Sequence, residues 1–232
     1  MAEDAAPRPK QIRVSRQYAG GLMQESDQSS KLCEISNSIR ACRGCELWRT
    51  RNNAVPGEGS PSWVMFVGEA PGFHEDQEGR PFVGPAGRFL DELFAVAGIR
   101  RNSVFITNVL KCRPPHNRPP RRDEILSCRP HLVAQIDVIR PRLICTLGAI
   151  ALRTLADSGS VTRLRGRPLM ARGIVFFPTL HPAASLYDPK LKEVLREDFR
   201  SLGRLVEDGP DGLEVHWARA RGLKTLDRFV GT

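Results

Sequence analysis

The chain has 232 residues, of which 41% are apolar, and it carries a formal net charge of +9 at pH 7. This content suits one sizeable hydrophobic core, while the lack of any apolar run near the ~20 residues that span a bilayer excludes a membrane-crossing helix. The basic charge favours a polyanionic partner such as nucleic acid.

The two ends of the chain differ in character from its middle. Residues 1–32 are polar and rich in Gln, Ser, Arg and small residues, which predicts a flexible N-terminal extension. They lack the order of a signal peptide, so we expect a cytoplasmic, nucleoid-associated protein. One catalytic domain is predicted over 33–205, and a C-terminal tail over 206–232.

Short β-branched runs alternate with helical patterns between these ends. The runs predict strands, in chain order, over 64–67, 104–109, 143–146 and 174–178. Helices are predicted over 85–97, 121–127, 130–139 and 189–205, with Pro130 opening a new helix because proline suits a first turn. This alternation predicts an α/β fold of three layers, in which helices cover both faces of a mainly parallel four-stranded sheet.

A glycine-rich turn follows the first predicted strand. Gly68 and Gly72 permit close backbone approach to a ligand, and Pro71 stiffens the turn, although a plain strand-to-helix turn has the same pattern. Asn108 closes the second predicted strand, and His181 follows the fourth. Ligands in open α/β sheets bind beyond the carboxyl ends of the strands, so the sequence predicts a site at this edge.

Two basic stretches flank the predicted site. Residues 111–122 contain five basic residues and no acidic one. Residues 158–187 contain no Asp or Glu, and their basic residues are Arg163, Arg165, Arg167 and Arg172. Such stretches suit contacts with DNA phosphates, although a solvated basic loop has the same composition.

Six cysteines are too few for a disulfide scaffold in a chain of this length and favour metal ligation. The four that form a pattern are Cys42, Cys45, Cys112 and Cys128. The first two are close enough to bind one centre, whereas fifteen residues lie between the last two, and this spacing leaves zinc and an iron-sulfur cluster open. Cys145 is interpreted as a buried hydrophobe and Cys33 as incidental.

The segment 64–87, VMFVGEAPGFHEDQEGRPFVGPAG, together with His181-Pro182 and these four cysteines, resembles the family 4 uracil-DNA glycosylases. The resemblance extends over residues 42–205. It implies a monomeric enzyme of base excision repair that flips uracil out of single- or double-stranded DNA and hydrolyses its N-glycosidic bond. It also implies a [4Fe-4S] cluster of structural role on the four cysteines.

The resemblance assigns roles at the predicted edge. His181 is expected to donate a hydrogen bond to uracil O2, where charge develops as the base leaves. Asn108 is expected to pair with uracil O4 and N3–H, and Phe82 to stack on the flipped base. Glu75 is expected near uracil C5, where it would help to exclude thymine.

Glu69, Ala70 and Pro71 form the turn that is expected to contact uracil. The best-known glycosylase family has an acid at the position of Ala70, so no carboxylate base is evident here. Glu69 is interpreted as a binding residue that helps to hold water, and the expected catalytic group is His181, Glu69 and Glu75.

DNA contacts are expected from Arg113, Arg118, Arg121, Arg165, Leu186 and Tyr187. The family usually ends this last loop in Leu-Arg, whereas the present Leu186-Tyr187 would wedge or stack instead of holding a phosphate.

Two other functions stay open. A covalent, non-turnover uracil-DNA binder of the same superfamily would carry an inserted basic loop with a histidine, which is absent around His116. A four-cysteine DNA-binding module without catalysis would have no use for Glu69, Asn108 and His181.

Overall fold

The computed structural model describes residues 25–157, 159–171 and 173–209. Its strands are β1 (Val64–Gly68), β2 (Phe105–Asn108), β3 (Leu143–Leu147), β4 (Leu169–Ala171) and β5 (Ile174–Thr179). They form one sheet in the order β2-β1-β3-β5-β4, in which β4 is antiparallel to β5 and the other pairs are parallel. The predicted α/β fold is confirmed. The prediction of four strands is wrong, because the edge strand β4 is too short to show a period in the sequence.

The helices lie on both faces of this sheet. They are α1 (Glu25–Ala41), α2 (Phe73–Glu78), α3 (Pro85–Val96), α4 (Arg122–Ile139), α5 (Ala149–Ala156), α6 (Val161–Leu164), α7 (Ala184–Tyr187) and α8 (Leu191–Glu207). The predicted helices over 85–97 and 189–205 correspond to α3 and α8. Within the described ranges, none of these helices combines the length and apolarity that a membrane span requires.

The prediction of two helices around Pro130 is wrong, because α4 runs through this proline without a break. Proline removes one N–H donor from the helix. Cys128, Leu132 and Ile139 nevertheless lie buried on one face of α4, on both sides of the proline. Packing of this face overrides the local preference.

Strand β1 supplies both sides of the core. Val64 and Phe66 pack in the apolar cluster beneath α3 and α8, whereas Met65 and Val67 pack in the cluster beneath α1, α4 and α5. A parallel strand that is buried on both faces has no polar face, which explains its uninterrupted apolar run. Cys145 on β3 is fully buried, as predicted.

Helix α1 begins at Glu25, so the predicted domain boundary at residue 32 falls inside a helix. Leu32 and Ile39 are buried, and Gln28 Nε2 donates to the carbonyl of Val138 at 2.9 Å. The helical spacing of Leu32 and Ile39 is the sequence signal for this packing. The predicted extension before residue 25 and the tail after residue 209 lie outside the described residues.

Candidate active site

The carboxyl ends of β1, β2 and β5 border an open pocket of about 360 Å³, a size typical of small-ligand sites. The pocket is lined by every residue that was predicted to bind or act on the base: Glu69, Ala70, Pro71, Glu75, Phe82, Asn108 and His181. Parallel strands bring these residues together from distant parts of the chain because their carboxyl ends share one edge.

His181 lies two residues beyond the end of β5, and the backbone fixes its tautomer. The Ala183 N–H donates to Nδ1 at 3.2 Å, so the proton of the neutral ring lies on Nε2. Burial lowers the pKa of His181 to about 4, and the nearby charge of Glu75 opposes this only in part. At pH 7 the ring is therefore neutral, and its Nε2–H has no acceptor among the described residues.

Phe82 lies beside this histidine, with ring centroids 5.7 Å apart and ring planes inclined by 26°. Its φ of 53° is in the left-handed region, which is unfavourable for an aromatic residue and requires support from its surroundings. Arg101 provides support by donating to the carbonyl of Pro81 at 2.6 Å.

Glu75 supplies the other support of the Phe82 loop. Its carboxylate accepts hydrogen bonds from the backbone N–H groups of Val83 and Gly84, both at 2.9 Å, and of Gly72 at 3.1 Å. Both oxygens are thus engaged, and the side chain joins the turn after β1 to the Phe82 loop. This geometry favours a structural brace over the catalytic role predicted for Glu75.

Asn108 ends β2 with only 2% of its surface exposed, and its Oδ1 has no hydrogen-bond partner in the described part of the chain. An unpaired buried acceptor costs about 1–3 kcal/mol, so one that borders a pocket indicates a bound donor. Gly68 pairs with Asn108 across the strands. A Cβ at Gly68 would lie 2.4 Å from Asn108 Oδ1 and 2.6 Å from Phe82 Cζ, so only glycine leaves both side chains in place.

Lys111 holds the main chain of Asn108 from behind, a role that sequence reasoning missed. It is 1% exposed, and its Nζ donates to the Asn108 carbonyl at 2.8 Å, to Thr107 Oγ1 at 2.6 Å and to Gln135 Oε1 at 2.7 Å. Burial lowers its pKa to about 7. Its position directly after the buried run 108–110 was the available signal, but its charge assigned it to the basic stretch instead.

Glu69 is the other carboxylate of the pocket. It is half-buried, and its side chain has no hydrogen bond to any described residue. Burial raises the pKa of this carboxyl, and Arg153 acts in the opposite direction. Unlike Glu75, Glu69 therefore retains free oxygens that can accept a hydrogen bond from water.

The residues predicted to contact DNA divide into two groups. Arg118 lines the pocket but makes a two-point ion pair with buried Glu124, and Arg165 pairs with buried Asp198 at 2.8 Å and also donates to the carbonyl of Val194. The geometry thus favours an internal role for Arg165, because its charge serves the packing of α8. Of the remaining residues, Arg121, Leu186 and Tyr187 are exposed and Arg113 is partly exposed.

The four patterned cysteines, Cys42, Cys45, Cys112 and Cys128, line one common pocket. N–H groups approach three of the sulfurs: that of Gly44 at 3.4 Å from Cys42, that of Arg51 Nη1 at 3.0 Å from Cys112, and that of Lys111 at 3.3 Å from Cys128. Such donors stabilise thiolates, the form that binds metals. In the ranges that the structure describes, no three His, Cys, Asp or Glu side chains are placed as a metal-ion site. The evidence that the four cysteines bind one centre is therefore their common pocket and these N–H contacts.

The chain is similar in sequence to known proteins. Residues 56–202 match the family model of the uracil DNA glycosylase superfamily. The chain is 47% identical over 184 residues to a Type-4 uracil-DNA glycosylase of Sulfurisphaera tokodaii, covering 75% of this chain and 84% of that protein. Relatives described by the same words in Saccharolobus solfataricus and Archaeoglobus fulgidus are 46% and 41% identical, covering 78% and 75% of this chain and 88% and 92% of theirs.

Proposed function

This chain belongs to the type-4 branch of the uracil DNA glycosylase superfamily, and on that basis we propose that it excises uracil from DNA as a monofunctional glycosylase. One observation carries the assignment to this pocket. A neutral histidine with a free Nε2–H and an asparagine with an unpaired buried Oδ1 border the same cavity. Uracil offers an oxygen for the first group and an N–H for the second.

Selection of the base rests on Asn108. Its Oδ1 accepts from uracil N3–H and its Nδ2 donates to O4. Cytosine presents an acceptor at N3 and a donor at N4, so both interactions would become repulsive. Phe82 stacks on the extruded base, and its loop is braced by the hydrogen bonds to Glu75. The exclusion of thymine by Glu75 stays a prediction.

The reaction in this pocket begins with heterolysis of the bond between sugar C1′ and uracil N1. The bonding electrons leave with the base, and negative charge accumulates on O2, where the His181 Nε2–H stabilises it. Water then bonds to C1′ and releases its proton to solvent. Glu69 holds this water through its free carboxylate oxygens and need not act as a strong base, because the leaving group departs first.

The four cysteines fit a [4Fe-4S] cluster, since they line one pocket from three segments of the chain and receive N–H donors at their sulfurs. Such a cluster would supply a cross-link between the segment 42–45, the loop at Cys112 and helix α4. The protein groups of the reaction lie in the other pocket, and none of the steps above requires electron transfer.

Cys112→Ala is expected to lose the cluster and to lower the midpoint of thermal unfolding, because three thiolates no longer close the cross-link. Cys33→Ala is the matched control, since Cys33 is exposed on α1. Iron content, absorbance near ~400 nm and calorimetric unfolding measure the outcome. Equal iron content in the two variants would contradict the ligand assignment.

Gly68→Ala is expected to reduce uracil excision by at least about 100-fold, because its methyl group would displace both Asn108 and Phe82. Gly87→Ala serves as a comparison that leaves Asn108 uncontacted, since its Cβ would collide with the main chain of Phe82. The rate of excision under single-turnover conditions measures both effects. A Gly68→Ala enzyme of normal rate would show that Asn108 Oδ1 does not contact the base.

The proposed function is tested with a labelled oligonucleotide that carries one uracil. Alkali should cleave the strand at uracil after incubation, but not at cytosine or thymine in matched oligonucleotides. A persistent protein-DNA band without strand cleavage would instead indicate the covalent binder. The structure disfavours that alternative, because His116 is exposed and is not among the residues that line the pocket.

A further inference from the structure

The mouth of the pocket carries exposed apolar side chains on two different walls. Leu186 and Tyr187, the latter 90% exposed, lie on the α7 side, where DNA contacts were predicted. Phe73 lies on the α2 side and is 52% exposed, although an aromatic ring of this size normally packs in a core. It follows Gly72, which lines the pocket. Neither the base-binding residues nor the chemistry described above explains this exposure.

Arg113 covers part of the Phe73 ring. Its guanidinium carbon lies 5.1 Å from the ring centroid, within the range of a cation–π contact. Its Nε donates to Asn117 Oδ1 at 2.7 Å, and Asn117 lines the pocket. The hydrogen bond and the ring contact together orient the guanidinium. Phe73 and Arg113 therefore form a pair of flat groups at the pocket mouth, which we call the Phe73–Arg113 platform.

The chemistry of this platform identifies its ligand. Aromatic rings and guanidinium planes both stack on nucleobases, and such stacking is tolerant of sequence. The charge of the stretch 111–122, which contains Arg113, suits a nucleic acid, because Arg121 and Arg122 are also exposed and the stretch contains no acid. The platform also lies next to a pocket that receives one extruded base.

We propose that the Phe73–Arg113 platform stacks on an unpaired base adjacent to the uracil. The inference rests on the proposed function, because it places this base beside the flipped one. In a duplex the neighbouring base stays stacked on its own helix, so the platform contributes mainly to binding of single-stranded DNA. The enzyme thus has a site for a second base outside the catalytic pocket.

The test is a double-mutant cycle in which one change is made in the protein and the other in the substrate. Single-stranded oligonucleotides carry uracil flanked by thymine on both sides, or by one tetrahydrofuran abasic nucleotide on the 5′ or the 3′ side. Phe73→Ala should lower kcat/KM on the first substrate by about 5- to 150-fold and leave kcat unchanged. On the substrate that lacks the stacked base, the same variant should change kcat/KM less than about 2-fold.

Further variants separate stacking from charge and from general destabilisation. Phe73→Trp should retain kcat/KM because the aromatic plane remains, whereas Arg113→Lys should lose part of it because lysine has no plane to stack. Leu126→Ala, a change at an exposed apolar residue of α4, is the control and should have no effect. Binding of the same oligonucleotides, followed by fluorescence anisotropy, gives a readout that does not depend on catalysis.

Three results would contradict the proposal that the Phe73–Arg113 platform stacks on a base. They are an equal loss for Phe73→Ala on all substrates, an unchanged kcat/KM and affinity for Phe73→Ala, and a loss that is larger on duplex than on single-stranded DNA. Unchanged kcat/KM and affinity would indicate that the exposed Phe73–Arg113 pair contacts a protein partner instead of DNA. If the wild-type enzyme excised no uracil from any oligonucleotide, the proposed function would fail, whereas the anisotropy cycle would still decide whether Phe73 contacts a base.

Discussion

His181→Ala will lower the single-turnover rate of uracil excision by about 10²- to 10³-fold, because it removes the donor that stabilises charge on O2 as the base leaves. The neutral ring and its fixed tautomer make Nε2–H this donor. The loss should appear in the rate at saturating enzyme, with little change in affinity for the oligonucleotide. His116→Ala, which removes an exposed histidine outside the pocket, should retain the wild-type rate.

The same histidine sets an expected pH dependence. With a native pKa of about 4, His181 stays neutral from pH 8 to about pH 5, so its protonation should cause no inflection of the excision rate in that range. An inflection near about pH 6.5 that disappears in His181→Gln would contradict the neutral-donor mechanism.

The free energy of unfolding, unlike the excision rate, should depend on pH in the acid range. The unfolded chain protonates this ring below about pH 6.5, whereas the native state does so only near pH 4. Between these values the unfolded state binds more protons, so the free energy of unfolding falls as the pH is lowered. His181→Gln should weaken this dependence, and denaturant titrations at pH 7 and pH 5 measure the difference.

Asn108→Ala will lower kcat/KM for uracil by about 100-fold or more, because the variant loses both hydrogen bonds that read the base. Lys111 holds the main chain at this position through the Asn108 carbonyl, which alanine keeps, so the strand end should not move. Asn102→Ala, at an exposed asparagine outside the pocket, is the matched control.

The effect of Asn108→Ala on stability distinguishes reading of the base from a structural role. The variant removes a buried acceptor that has no partner among the described residues, so the midpoint of thermal unfolding should stay the same or rise. A fall of several degrees would indicate that the side chain holds the fold together. Unchanged excision would remove Asn108 from the mechanism altogether.

Much of the fold was predictable because its elements carry strong local signals. Strands β1, β2, β3 and β5 each begin with an apolar run, since they are buried on both faces, and α3 has a regular apolar stripe. The prediction at Pro130 was wrong, and the edge strand β4 was not predicted. In the first case packing outweighs a local preference, and in the second three residues are too few to form a pattern.

Residue types at strand ends, and their resemblance to a known family, also identified the pocket from the sequence alone. Glu69, Phe82, Asn108 and His181 were named in this way, and the structure places all four around one cavity. Their neighbourhood at a single edge follows from parallel strand order, which the alternation of strands and helices already implied.

Only the tertiary structure decided which charged residues serve the site and which serve the fold. The sequence suggests DNA contacts or catalysis for Lys111, Arg165 and Glu75, yet each is held by partners on another segment of the chain: Gln135, Asp198 and the N–H groups of Val83 and Gly84. The physical reason is that composition determines the charge of a side chain but not its burial or its partners. Both of these depend on contacts between segments that the linear sequence leaves apart.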